Sequence, residues 1–390
     1  MRIALTDDQV ALRDELRSYF AELMTPEVEA ALSGGEWGGG PGRELALRMG
    51  RDGWLGIGWP KEYGGQGRSA VEQFIFFDEA QRAGAPVPFL TINTVGPTLM
   101  HFGSEEQKAA FLPRILRGEV HFSIGYSEPN AGTDLASLRT SAVFDGDEWV
   151  INGSKLWTSL VQDADYVWLA ARTDPEARKH RGISIFIVPT AARGFRFTPI
   201  EVISDGATNA TFYEDVRVPH SALVGEVNQG WSLITNQLNL ERVALCAPGG
   251  VQRLFEDVCA WARETCLVDG RRVIDQEWAR LHLARIQAGL EFLKLINWKS
   301  AWSLTQGQID PADASTTKVF GTEFFTDAYR LLLEVMGPAG ALKRGSPEAI
   351  LRGRVERAYR GTLILTFGGG TNEIQRDLIS VFGLGMQVRR

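Results

Sequence analysis

Two changes of hydrophobic period predict an α+β chain: an N-terminal helical domain, a central small β-barrel or sandwich, and a C-terminal bundle of four or five helices. Over residues 6–119 apolar side chains recur three and four apart, the period of amphipathic helices. From about 120 the pattern becomes short β-branched and aromatic runs separated by turns. From 228 the helical period returns and holds to the end. The expected boundaries are 1–119, 120–227 and 228–390.

Each part has its own local signals. Thr6 with Gln9, and Ser104 with Gln107, are capping boxes that open amphipathic runs. Residues 54–67, WLGIGWPKEYGGQG, break the helical pattern and read as a loop, and Gly38 to Gly40 with Pro41 mark another connection. The expected strands are 121–126, 138–145, 148–153, 164–172, 183–189, 194–201 and 210–219, with Asp145-Gly146-Asp147 as a hairpin turn. The expected C-terminal helices are 229–266, 274–306, 311–336, 347–366 and 371–383, punctuated by GPAG at 337–340 and GGG at 368–370.

Composition narrows the function. The chain has 390 residues, 44% hydrophobic and 23% charged, enough for several domains with a sizeable core. A net charge of −7 argues against nucleic acid or an anionic membrane as partner. The N-terminus is too charged for a signal peptide, and no apolar run approaches the length of a membrane span. Three cysteines (Cys246, Cys259, Cys266) without CxxC spacing fit a reducing compartment, and the five histidines show no metal-ligand pairing. A cytoplasmic enzyme without a metal site is expected.

Four stretches could carry chemistry. In 228–246, NQGWSLITNQLNLERVALC, the helical period puts Ile234, Leu238, Glu241 and Leu245 on one face. A carboxylate in an apolar row either pairs with a buried arginine, reaches water at its edge, or meets a buried need. FSIGYSEPNAGTD (122–134) leaves a strand through a turn rich in hydroxyls and main-chain donors, which is an ordinary turn or a ligand loop. KLWTS (155–159) sets a Trp beside two hydroxyls, suited to core packing or to covering a heteroaromatic ring. TFGGGTNEIQR (366–376) lets the backbone approach a ligand closely before a helix begins. It is not GxGxxG and follows no strand, so a Rossmann reading fails.

With these motifs together, the chain resembles the acyl-CoA dehydrogenase family. The α–β–α order, WPKEYGG (59–65), SEPNAGTD (127–134), INGSKLWTS (151–159) and GGGTNEIQR (368–376) carry the resemblance across essentially the whole length. Through LGIGWPKEYGG, HFSIGYSEPNAGTDLASLRT, TNQLNLERV and LTFGGGTNE it is most similar to members that shorten steroid side chains as CoA thioesters. The resemblance implies FAD as cofactor, an acyl-CoA thioester substrate and an electron-transfer flavoprotein as acceptor. It implies that Ile124, Gly125, Tyr126 and Ser127 run along the flavin, continued by Gly132 and Thr133. It implies further that Trp157 covers one flavin face, with Thr158 and Ser159 beside it. Thr371 and Glu373 match positions at the dinucleotide part. Thr133, Asn239, Arg242 and Gly370 match substrate-side positions.

Two departures from the family pattern bear on function. Most members carry the catalytic Glu where this chain has Gly369, and a minority place it on the bundle helix immediately before an Arg. By that similarity Glu241, before Arg242, is the α-proton base. The α-proton of a thioester is weakly acidic, so an ordinary Glu is poorly matched to it. Raising the base by ~2–3 units through desolvation costs roughly 3–4 kcal/mol, which an apolar helix face can impose. The second departure lies at 263–267, RETCL. Arg263 keeps the position that reaches a neighbouring subunit's FAD, but Cys266 and Leu267 replace the family's Phe-Gly. The related steroid enzymes are α2β2 heterotetramers, and the same assembly with a homologous chain is expected. The alternatives are an acyl-CoA oxidase of the same fold and a non-catalytic supporting subunit.

Overall fold

The structure, a computed structural model, describes residues 4–32, 39–307 and 310–387; the side chains of 238–245 are outside the described set. By internal packing the chain falls into two compact units. One comprises 26–68 and 86–241, the other 1–25, 69–85 and 242–390. The first 119 residues supply helices to both. These are α1 (Asp7–Leu23), α2 (Pro26–Ala31), α3 (Gly39–Arg51), α4 (Ala70–Ala83), α5 (Gly96–Phe102) and α6 (Glu105–Leu116).

Both expected capping boxes form, and a third joins Ser69 to Glu72 at the start of α4. The stretch 54–67 contains only two short 3-10 turns among loop residues, as its glycines require. The connection expected at 38–41 is corrected: Gly39, Gly40 and Pro41 form the first turn of α3, and Gly38 lies outside the described residues. Proline suits that place because the first amides of a helix have no intrahelical acceptor.

In the first unit all seven expected strands form. They are β1 (Phe122–Gly125), β2 (Ser141–Asp145), β3 (Glu148–Lys155), β4 (Tyr166–Arg172), β5 (Ile183–Pro189), β6 (Phe195–Val202) and β7 (Gly206–Pro219). A two-residue β8 (Leu223–Val224) is too short to show a period. Among the described residues the strands make one mixed sheet, ordered β6-β7-β3-β2-β4-β5-β8, with β1 parallel beside β4. Trp149, Val167, Leu169, Phe186, Val188 and Tyr213 fill its core. Arg43 of α3 ties to the same body, donating to both oxygens of Asp165 at 2.7 and 2.8 Å.

The helix α7 (Gly230–Leu245) begins against the start of β5. The N–H of Asn228 donates to Ser184 Oγ at 2.8 Å. A Cβ on Gly230 would come within 2.8 Å of the Ile183 carbonyl. The first turn of α7 is therefore pinned to the sheet, which sets where the rest of the helix runs.

The second unit holds α1 and α4 with α8 (Gly249–Glu264), α9 (Glu277–Thr305), α10 (Pro311–Met336), α11 (Arg354–Thr362) and α12 (Asn372–Leu378). Its core gathers Val258, Leu283, Ile286, Leu290, Leu332 and Val335, among others. The single helix expected over 229–266 is two, α7 and α8, broken at 246–248. Pro248 has no N–H to continue a helix and disfavours the helical conformation in the residue before it. The helix expected over 347–366 is α-helical only at α11, flanked by 3-10 turns. α12 passes into a wider π turn at Ile379–Gly383. Among the described residues no helix is long and apolar enough to cross a membrane.

The start of α8 is closed by a carboxylate. Asp78 of α4 accepts the Gly249 N–H at 2.7 Å, and a Cβ on Gly249 would lie 2.1 Å from the Asp78 carbonyl. Burial, reinforced by neighbouring Glu79, pushes Asp78 up to about 7, against the pull of the Gly249 amide, Lys294 and Arg82. The folded form therefore holds a proton that the unfolded chain releases near pH 4, so this contribution is full below that pH and fades as pH rises through about 7. Asp78→Asn is expected to remove about 2 kcal/mol of the stability difference between pH 5 and pH 8. Urea unfolding of both proteins at the two pH values measures it, and equal pH dependence sinks the assignment.

Candidate active site

In the sheet unit, the segment leaving β1 and the segment leaving β3 are drawn together by hydrogen bonds that neither sequence motif announces. The Leu156 N–H donates to the Ser127 carbonyl at 2.8 Å, and Ser123 Oγ donates to the Ser159 carbonyl at 2.6 Å. Lys155, fully buried, donates to the Tyr126 carbonyl at 2.9 Å and to Glu128 Oε1 at 2.8 Å. Glu128 also accepts the N–H groups of Arg139 at 2.7 Å and Thr140 at 2.8 Å. Burial lowers Lys155 to about 8, partly offset by Glu128. Burial pushes the Glu128 carboxyl up, but Lys155 and the Thr140 donors outweigh it and leave the group below its ordinary value. The pair is ionised at neutral pH and locks both loops.

Beyond the clamp lie the expected ligand-facing residues. Trp157 adopts a left-handed φ of 65° and is 56% exposed. A bulky residue in that conformation costs energy, and an exposed indole gains nothing from burial in return. Ser159 Oγ is hydrogen-bonded to Thr208 Oγ1 at 3.1 Å. Thr158 is fully buried, with its hydroxyl against that of Thr211 at 3.2 Å, so its side chain is already committed. Gly125 is packed so closely that a Cβ would meet Val167 at 2.8 Å. Ile124 and Ser127 are half-buried, whereas Gly132 and Thr133 are exposed in the turn. Among the described residues the hydroxyls of Ser127 and Thr133 make no hydrogen bond.

The Tyr126 side chain faces the other way. Trp168 Nε1 donates to the Tyr126 hydroxyl at 3.1 Å, and that hydroxyl donates to Gln237 Oε1 on α7. This short relay fixes α7 against the loop one turn before residue 241. The side chains of Asn239, Glu241 and Arg242 lie outside the described residues; their backbone is helical within α7.

In the bundle unit, Gly369 and Gly370 take positive φ of 69° and 102° before Thr371, whose Oγ1 accepts the Ile374 N–H at 3.3 Å and caps α12. Thr371 is half-buried, and Gly370 and Glu373 are exposed. Arg263 is exposed at the end of α8. Beyond it, residues 266–272 fold into a small hairpin with Leu267 and Val268 exposed. Among the described residues no cluster of His, Cys, Asp or Glu could hold a metal ion. Sequence reasoning passed over Glu128, Gln237 and Lys318, all partners of main chain or of other side chains. For Lys318 a signal existed: a lysine set four residues after Ala314 and seven before Phe325, in an apolar row of α10.

The chain matches models of the acyl-CoA dehydrogenase N-terminal domain over residues 6–119, middle domain over 123–216 and C-terminal domain over 228–383. It is 61% identical to acyl-CoA dehydrogenase FadE26 of Mycobacterium tuberculosis, across 99% of both chains. FadE29 of the same organism is 48% identical across 98% of both. Among solved structures, a chain of the ChsE4-ChsE5 complex from Mycobacterium tuberculosis superposes with a TM-score of 0.94 at 60% identity, covering all of both chains. A chain of the Tcur3481-Tcur3483 steroid ACAD does so with a TM-score of 0.94 at 51% identity, again covering both completely. The protein belongs to the acyl-CoA dehydrogenase family, oxidoreductases acting on CH–CH bonds.

Proposed function

We propose that this acyl-CoA dehydrogenase binds FAD and dehydrogenates the Cα–Cβ bond of a CoA thioester with a steroid side chain as its acyl group. Electrons then pass to an electron-transfer flavoprotein. The observation that carries the flavin reading is the joining of 123–127 to 155–159 with Trp157 left exposed in a strained backbone. An exposed aromatic plane beside Ser127 and Ser159 fits a flat heteroaromatic ring with a polar edge. When bound, FAD supplies the two-electron acceptor for the hydride that leaves Cβ. The steroid reading is supported by 51% identity to a chain described as a steroid ACAD.

Glu241 takes the α-proton. The position most members use for the base is Gly369, which cannot accept a proton, and α7 carries the remaining carboxylate in an apolar row. The Tyr126–Gln237 relay steadies the helix from which that carboxylate projects. Asn239, Arg242, Thr133 and Gly370 orient the thioester, so that the proton meets the base while Cβ faces the acceptor. Ile124, Gly125, Gly132 and Thr158 offer main-chain surface to the flavin, and Thr371 and Glu373 hold its dinucleotide part.

A second, homologous chain completes the flavin site. The hairpin after Arg263 exposes Leu267 and Val268, and α9 exposes Trp278, Leu281, Phe292, Leu295 and Trp302 along one stripe. Large apolar side chains exposed along one helix face fit an interface. A similar chain solved in the ChsE4-ChsE5 complex supports an α2β2 assembly.

Two outcomes are expected. Glu241→Gln, co-expressed with a homologous partner, should retain FAD by absorbance and lose about 10²–10⁴-fold in turnover with an artificial acceptor under anaerobic conditions. Near-normal turnover would remove Glu241 as the base. The chain expressed alone should carry little flavin and gain it on co-expression. Full flavin occupancy in the isolated homomer rules out the completed-by-partner arrangement.

A further inference from the structure

In the bundle unit Lys318 of α10 is fully buried. Its ammonium donates to the main-chain carbonyl of Gly370 at 2.7 Å and to Asn372 Oδ1 at 2.6 Å. The Asn372 amide continues to Glu323 at 3.2 Å, and Glu323 also receives Arg376 at 2.6 Å. One side of α10 thus grips the segment 370–376. Removing an ammonium from water is costly, and holding a glycine turn against a helix does not by itself require one.

The grip has a directional consequence. In a trans peptide the C=O and N–H point in opposite directions. With the Gly370 carbonyl held toward α10, the N–H of Thr371 points away from it. Among the described residues the N–H groups of Gly369, Gly370 and Thr371 donate to nothing. An ammonium on the carbonyl also polarises the peptide, which makes the Thr371 N–H a stronger donor.

We infer that Lys318 is a positioning residue: it aims and polarises the Thr371 N–H toward an anionic oxygen of the bound dinucleotide. This rests on the reading above in which Thr371 touches the dinucleotide part of FAD. The effect is a chain of two contacts, ammonium to carbonyl and amide to ligand, so the two ends must act as one unit.

A double-mutant cycle on the holo complex, co-expressed with its homologous partner, tests this. Flavin release after dilution is followed by the rise in flavin fluorescence. Thr371→Pro deletes the aimed N–H together with the hydroxyl that caps α12, so its release rate is read against Thr371→Ala, which removes the cap alone. Proline accommodates the φ of −63° at that position. Lys318→Met deletes the ammonium and keeps an apolar chain of similar length. Each should speed release about tenfold, the scale of a hydrogen bond to a charged group. The double variant should release flavin no more than about threefold faster than either single variant. Lys318→Gln, neutral but still able to donate, guards against misfolding of the Met variant and should stay within about threefold of wild type. Multiplying effects in the double variant, unchanged release in Lys318→Met, or a Gln variant as impaired as the Met variant overturns the positioning role. Unchanged release in Thr371→Pro instead overturns the contact of Thr371 with the dinucleotide, and the inference falls with it.

Discussion

The candidate site depends on a buried ammonium. Lys155 sits with no solvent exposure and spends its protons on the Tyr126 carbonyl and on Glu128, whose second oxygen gathers the amide of Arg139. Breaking one side of such a pair leaves an uncompensated charge in a low-dielectric interior, so the arrangement holds as a whole or fails as a whole. That constraint lets two loops from distant parts of the sequence share one geometry. The side chains of Trp157, Ser127 and Thr133 take no part in this clamp, which leaves them available to the flavin proposed above.

The same device recurs in the bundle unit. Lys318, equally buried, also donates to a main-chain carbonyl in a loop, that of Gly370. A lysine that grips a carbonyl fixes the orientation of a peptide plane, and with it the amide on the other side. Ordinary loops spend their amides on turns or water. Here buried ammonium groups bond the carbonyls of Tyr126 and Gly370, the latter in a turn with positive φ at Gly369 and Gly370. A buried charge thus stands behind both segments that the proposed function gives to the flavin, which is where preorganisation has value.

Much was legible in the sequence because it follows from local period. All seven expected strands form, and α10 occupies the expected 311–336, because alternation and the 3.6-residue repeat are read from neighbours alone. The errors came where a single residue overrides a continuous pattern. Pro248 splits one expected helix into α7 and α8, and Gly39 to Pro41 open a helix where glycines suggested a connection. At the site, exposed Trp157 and the Gly-rich turn could be singled out by residue type. The clamp residues could not, since a lysine or glutamine reads as surface until something buries it.

The sequence by itself determined the three-part α–β–α order, the family, and the replacement of one carboxylate position by Gly369 with Glu241 left on α7. Each of these is a matter of residue identity at a place in the chain. Only the tertiary structure decided that α1 and α4 pack with the C-terminal helices while α2, α3, α5 and α6 go with the sheet. It alone decided that Leu156 meets Ser127, that Tyr126 turns from the loop to Gln237, and that Lys318 reaches Gly370. Those pairings span 29 to 111 residues of chain. They arise from the cost of leaving a buried polar group unpaired, which no local period encodes.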